Sequence, residues 1–476
     1  MSRVRTIFKN VSWLFVSQII VSICGFIWTI LIARYLGVSD YGILGFAISF
    51  TGILALTVDL GISSHIVRHV STDYESAPKY LGNAIPLKSI ISIVLFILTF
   101  LILNIMNADE ITITITLLFT IEIIIKSFIG LLNGTFQAFE KGKYQGIENI
   151  LVNVLLLLFI ILTLFTDLGL YGITFSYILA NLIGLLYAYY ALYKHFPKPK
   201  YELDMTFCKK IIIVSLPFAA TGILYSIYYS IDVVMLTNLV GNYATGIYNA
   251  TYKLISVLTL FYSMFNAVIF PVMSKLFKHD KKLLFVSYEK SMKYLLLIMI
   301  PLSLATMFYS FDIIQLIYGH EYDAASSVLS ILIWTVCLLF IAGPGNNLLN
   351  ASHKEIVVTK LYAIAAVFNI VLNLFMIPHF SYIGAAISTV LSDVLIVAIQ
   401  TYVIYKLGHK ITKKFCMDLL KIIIGSSVLG IALYFLNLNM WVALPVGIII
   451  YFVVMYLIRF FDDDDKYVIR EILGKN

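Results

Sequence analysis

What most constrains this chain is a series of fourteen apolar segments, each about as long as a bilayer core is thick. They run over roughly 11–36, 42–64, 82–106, 111–134, 148–166, 169–193, 211–238, 245–272, 290–309, 325–350, 356–378, 381–405, 417–436 and 440–459. A helix of about 20 apolar residues crosses the ~30 Å of hydrocarbon. No water inside it can satisfy a bare backbone, so a spanning segment must be a helix or part of a closed barrel. Barrel strands read as alternating stretches of about 10 residues. These runs are continuous, so the expected fold is an all-α integral membrane protein with about 14 transmembrane helices. Only 12% of the residues are charged, against roughly 25% in a soluble domain, and the mean hydropathy is +0.95. A soluble enzyme, a nucleic-acid-binding protein and a disordered scaffold are disfavoured on that ground.

The basic residues test the count. With the N-terminus placed in the cytoplasm, thirty of the 33 lysines and arginines fall on the cytoplasmic side. Lys88 and Lys293 are among those thirty. The opposite loops carry acids instead: Asp109, Glu110, Asp167, Glu321 and Asp323. This is the positive-inside pattern, and one missed span would invert everything after it. Both termini are therefore expected inside the cell membrane, and the +7 net charge follows from topology without a nucleic-acid partner. The first apolar stretch is too long for a signal-peptide core and reads as a retained span. The run Asp462 to Asp465 reads as a solvated flank. Cys24, Cys208, Cys337 and Cys416 are scattered and read as small core residues, and His65 with His69 lacks the further ligands a metal needs.

An internal repeat organises the spans. Gly37-Val38-Ser39-Asp40-Tyr41-Gly42-Ile43 aligns with Gly241-Asn242-Tyr243-Ala244-Thr245-Gly246-Ile247. Gly172-Ile173-Thr174-Phe175-Ser176 echoes in Gly384-Ala385-Ala386-Ile387-Ser388. Six helices separate the partners, so the halves share one orientation, a layout found in alternating-access transporters. The expected division is an N-lobe over 1–205 (helices 1–6), a C-lobe over 206–408 (helices 7–12), and an appended pair of helices with a tail over 409–476.

Ionisable groups inside a span are costly and are expected to pair, face the bundle or line water. Here they are Arg34, Asp59, Glu122, Lys126, Asp232, Lys253 and Asp393, with Arg68 at the cytosolic boundary. Glu122 and Lys126 lie one helical turn apart, either a self-neutralising pair or a charged patch on a cavity wall. Asp232 and Lys253 sit on neighbouring helices and are placed to pair. Arg34 is near a helix end, where it can snorkel. Asn369 and Asn373, one turn apart, read as helix–helix hydrogen-bonding groups. Gly343-Pro344-Gly345, followed by Asn346, Asn347 and Asn350, should break or bend its helix and is either a hinge or gate or a packing kink. Pro217, Pro271 and Pro301 offer further kinks. No phosphate-binding glycine loop and no hydrolase or metalloprotease motif is present. Transport would then run on a gradient, with no cofactor unless a coupling ion, Na+ or H+.

Leu31-Ile32-Ala33-Arg34-Tyr35-Leu36-Gly37, Asp40-Tyr41-Gly42, Asp59-Leu60-Gly61-Ile62-Ser63 with Arg68, and Tyr382-Ile383-Gly384-Ala385-Ala386-Ile387-Ser388 resemble polysaccharide-biosynthesis flippases. These belong to the multidrug/oligosaccharidyl-lipid/polysaccharide exporter superfamily. The resemblance implies a V-shaped cavity between lobes that opens alternately inward and outward. It implies a polyprenyl-(di)phosphate-linked oligosaccharide as substrate, moved to the outer leaflet for surface polysaccharide or glycoprotein biosynthesis. Arg34, Arg68, Lys126 and Lys253 would then face phosphate, and Asp59, Glu122, Asp232 and Asp393 would balance or couple that charge. The implied partners are membrane lipids and other glycan-assembly membrane proteins, around a monomer without enzymatic activity. A cation-coupled multidrug exporter and a lipid-linked cell-wall precursor flippase of the same superfamily are the alternatives.

Overall fold

The computed structural model describes residues 3–436 and 439–461, and their side chains apart from those of 3–12, 216–221 and 260. The acidic run Asp462 to Asp465 lies outside the described residues, and the Pro217 ring outside the described side chains. In chain order the helices are α1 (Arg3–Asp59), α2 (Ile62–Val70), α3 (Ala77–Ile105), α4 (Glu110–Ala138), α5 (Gly142–Thr163), α6 (Gly169–His195), α7 (Met205–Leu239) and α8 (Asn242–His279). There follow α9 (Lys281–Phe308), α10 (Ser310–Tyr318), α11 (Ala325–Ala351), α12 (Glu355–Lys406), α13 (Lys413–Leu436) and α14 (Met440–Leu457). Twelve of these are long and apolar enough to cross a membrane. Two of the twelve are each a pair of limbs joined at one non-helical residue, Gly37 in α1 (φ 71°) and Ser381 in α12 (φ 52°). The described residues therefore hold the fourteen crossings that the apolar runs predict, and the chain is a multi-pass membrane protein.

The two echoes in the sequence have backbone counterparts. Gly37 and Gly241 both take positive φ, 71° and 119°. Gly169 and Ser381, each three residues ahead of an aligned glycine, both sit at φ 52°. An L side chain rarely adopts this region, so its use at Ser381 marks a turn the duplicated architecture requires.

Two compact units succeed one another, 1–249 and 250–476. In the first, α1 packs along α4, α5 and α7, and α6 packs on α4 and α5. Its core gathers Ile62, Ile66, Leu81, Leu131, Phe136 and Leu192. In the second, α11 packs on α9 and α12, and α13 joins α9 to α14, around Met292, Leu296, Leu348, Leu361 and Tyr451. Lipid tails are as apolar as leucine, so helix association in a bilayer rests on close approach and polar contacts. Small residues supply the approach. A β-carbon on Gly82 would collide with the Lys200 carbonyl, which lets the connector between α6 and α7 lie along α3. There the Lys200 N–H donates to the Pro78 carbonyl at 2.9 Å and the Asp204 N–H to Asn83 Oδ1 at 2.8 Å.

α11 continues through the Gly343-Pro344-Gly345 run without a non-helical residue. A side chain at 343 would strike the Tyr262 ring, and one at 345 the Gln400 amide. The glycines serve close packing against α8 and α12. Asn346 bridges the same contact, donating to the Tyr362 hydroxyl at 3.2 Å and accepting from Gln400 Nε2 at 2.7 Å.

Candidate functional site

The second crossing is discontinuous. α1 ends at Asp59, the backbone turns left-handed at Leu60 (φ 44°) and Gly61 (φ 74°), and α2 resumes the path. Irregular backbone at membrane depth survives only where protein covers it. The cover is polar. Asp59 Oδ1 accepts from Lys88 Nζ and from Ser63 Oγ, both at 2.5 Å. Lys88 Nζ also donates to the carbonyl and hydroxyl of Ser127, at 2.9 and 3.0 Å. Its side chain is 0% exposed and that of Asp59 24%, so the pair seals the break with its acid toward open space. Lys88 is no loop residue, as its place near an inner helix end suggests, but a buried strut of α3. A lysine near a span's end reads as a snorkelling cation, and only the fold reveals the acid beside it. Lys293 on α9 repeats the lesson: it is buried against Asp418 of α13 at 3.2 Å.

The pair read from spacing is present. Lys126 Nζ meets Glu122 Oε1 at 2.7 Å, and the same oxygen accepts from Asn181 Nδ2 at 3.0 Å. The two ends differ sharply: the Glu122 side chain is 2% exposed and that of Lys126 50%. The carboxylate is anchored in the α4–α6 wall while the ammonium stands off it, so a half-exposed cation is held on a fixed post. Glu148 of α5, also buried, is bound by Asn133 Nδ2 at 2.9 Å, and nothing in its sequence context singles it out.

The other expected site residues are placed as follows. Arg34 is exposed three residues before the Gly37 break. Its neighbour Tyr35 ties this end of α1 to the α5–α6 turn, donating to the Thr166 carbonyl at 2.7 Å and accepting from the Gly169 N–H at 3.2 Å. Arg68 is exposed on α2. Asp232 is buried on α7 and accepts from the Tyr248 hydroxyl at 2.7 Å. Lys253 on α8 and Asp393 on α12 are half-buried. Asn373 Nδ2 donates to Asn369 Oδ1 at 3.0 Å. In the second unit an apolar cavity of about 670 Å³ opens between α9, α11 and α13, lined by Leu304, Phe308, Trp334, Ile423, Gly430 and Ile431.

His65 and His69 on α2 have ring centroids 4.3 Å apart with their planes tilted by 42°, and His65 Nδ1 is buried without a hydrogen-bond partner among the described residues.

The model of the family described as polysaccharide biosynthesis protein matches residues 7–277, more than half of the chain. The chain belongs to that family. A second model, the lipid II flippase MurJ, matches residues 230–454. A capsular polysaccharide biosynthesis protein, CapF of Staphylococcus aureus, is 27% identical over 84% of this chain and 99% of its own length. The probable low-salt glycan biosynthesis flippase Agl15 of Haloferax volcanii is 22% identical over 80% of this chain and 79% of its own. Among solved structures, an inward closed conformation of the lipid II flippase MurJ aligns with a TM-score of 0.79 at 18% identity, covering 94% of this chain and 98% of that one. That likeness establishes the fold.

Proposed function

We propose that this polysaccharide biosynthesis family member is an alternating-access flippase, a transporter without catalytic chemistry. It moves a polyprenyl-(di)phosphate-linked oligosaccharide from the cytoplasmic to the outer leaflet of the cell membrane. The reading takes both termini as cytoplasmic, the chain as a monomer working beside other glycan-assembly membrane proteins, and the lobes as 1–205 and 206–408 with 409–476 appended. The relatives named for glycan biosynthesis support it. The physical problem is to carry a polar anionic headgroup through about 30 Å of oil while its tail stays in lipid.

Lys126 is the observation that carries the proposal. An ammonium held 2.7 Å from a buried carboxylate yet half exposed is stable enough to reside in a span and available to a phosphate. In the same reading Arg34, Arg68 and Lys253 add cationic steps along the path, and Asp59, Glu122, Asp232 and Asp393 keep them affordable to the membrane. The apolar cavity beside α13 suits a hydrocarbon tail, and Asn346 tunes the α11 packing contact.

The deciding measurement is the leaflet distribution of lipid-linked sugars in cells with and without the protein. Loss should cause build-up on the cytoplasmic face. Lys126→Met combined with Glu122→Gln, which removes the buried acid along with its partner, should reproduce that build-up with protein abundance within about twofold of wild type. Unchanged sidedness in the deletion would refute the proposal.

A further inference from the structure

Glu148 is a buried acid of α5. It stands in the second turn of α5 at 3% exposure. α4 presents Asn133, whose Nδ2 donates to Glu148 Oε2 at 2.9 Å. α6 presents Gly184, where an added β-carbon would lie 3.1 Å from Glu148 Oε1. α1 presents the backbone of Trp13 to Gly146 beside it. The chargeable groups that act on it are Lys126 of α4 and Tyr187 of α6. Glu122 faces Lys126 from the same helix, and Tyr144 of α5 acts on Tyr187. The α1 sequence between Lys9 and Arg34 contains no charged residue. No ion pair to Glu148 exists among the described residues, so its carboxyl lies in a dry wall beside a neutral amide.

The same amide carries a second anomaly. Asn133 Oδ1 is buried and has no hydrogen-bond partner among the described residues. An ionised Glu148 leaves both faults standing: a charge without a counter-ion and an orphaned acceptor on the side chain that binds it. One proton cures both. A carboxylic acid and a primary amide close a two-bond ring, with the amide N–H donating to one acid oxygen and the acid O–H to the amide oxygen.

We propose that Glu148 is a proton-binding site: it carries a proton in this conformation, donated to Asn133 Oδ1, and releases it to water when the α4–α6 wall opens toward Lys126. The acid O–H bond breaks, the proton leaves as hydronium, and the carboxylate gains Lys126 as counter-ion. Resting on the flippase reading, this would couple the transport cycle to a proton gradient.

The test uses the full chain in lipid nanodiscs and liposomes. Infrared spectroscopy at neutral pH should show the carbonyl band of a protonated carboxyl that Glu148→Gln removes and Asn133→Leu shifts. Glutamine keeps the ring with Asn133 as an amide pair, so the first variant should melt like wild type. With a fluorescent polyprenyl-diphosphate sugar as probe, an imposed pH gradient should accelerate wild-type translocation, and Glu148→Gln should lose that acceleration. An infrared spectrum unchanged by Glu148→Gln overturns the site. A full gradient response in that variant overturns the coupling while leaving the flippase reading intact. If the wild type moves no probe, the flippase reading and the coupling fail together, and the infrared band alone still judges the proton.

Discussion

Replacing Lys88 by methionine is expected to cost about 3–5 kcal/mol of stability, the range for removing one partner of a buried ion pair. Methionine matches the lysine stem in length, so the packing of α3 against α4 is largely kept and the loss is electrostatic. What remains is Asp59 at the α1–α2 break, its carboxylate held by Ser63 alone of the donors that now surround it. The Ser127 carbonyl and hydroxyl lose their donor as well. The double variant Lys88→Met with Asp59→Asn removes the charge along with its partner and should recover more than half of the loss. Thermal unfolding of the purified protein in one detergent, read by intrinsic fluorescence, compares the three. A single variant that melts with the wild type would mean that Asp59 is hydrated and that the break needs no salt bridge. Lys126→Met is the comparison, because it too strands a carboxylate, that of Glu122, which keeps Asn181 as a donor.

The contrast between these two lysines also measures what the sequence can tell. The fourteen crossings are legible because bilayer thickness imposes run length directly, and even the two fused helices, α1 and α12, show as paired apolar runs around Gly37 and Ser381. Glu122 with Lys126 is legible because four residues are one turn. Asp59 with Lys88 is not, since 29 positions separate them and nothing local reports that α3 turns that lysine inward. Glu148 is invisible for the same reason, lying near a helix end where an acid normally meets water. The Gly-Pro-Gly run of α11 is legible as a special place in its helix, while the neighbours it packs against are not. Proline and glycine do weaken an isolated helix, but Tyr262 and Gln400 pack where side chains would be and make the glycines an asset.

Alanine at Gly42 or at Gly246 should force apart a seam that only glycine can close. The two positions are partners in the sequence repeat, and in the first unit their turns meet reciprocally. A β-carbon on Gly42 would strike the Asn242 carbonyl, and one on Gly246 the Val38 carbonyl, with Val38 and Asn242 themselves repeat partners. Gly45 faces the side chain of Asn249, again its own repeat partner. The obstructing atoms are backbone, so no rotamer change relieves the clash and the helices must separate. Overpacking of this kind costs about 1–3 kcal/mol, which is roughly a 5–150-fold shift between two states that differ at the seam. In the proposed topology the seam lies at the outer end of the crossings, and its separation is what outward opening requires. Asn249 is 4% exposed, so a cysteine there, in a background without native cysteines, should be protected from a membrane-impermeant thiol reagent. Gly42→Ala should raise its labelling rate by that same 5–150-fold, and Gly246→Ala likewise. The double variant should fall well short of the product, because one separation relieves both contacts and the two changes are not independent. Labelling that stays at the wild-type rate while the melting temperature drops would show that the seam is a fixed joint and that opening happens elsewhere.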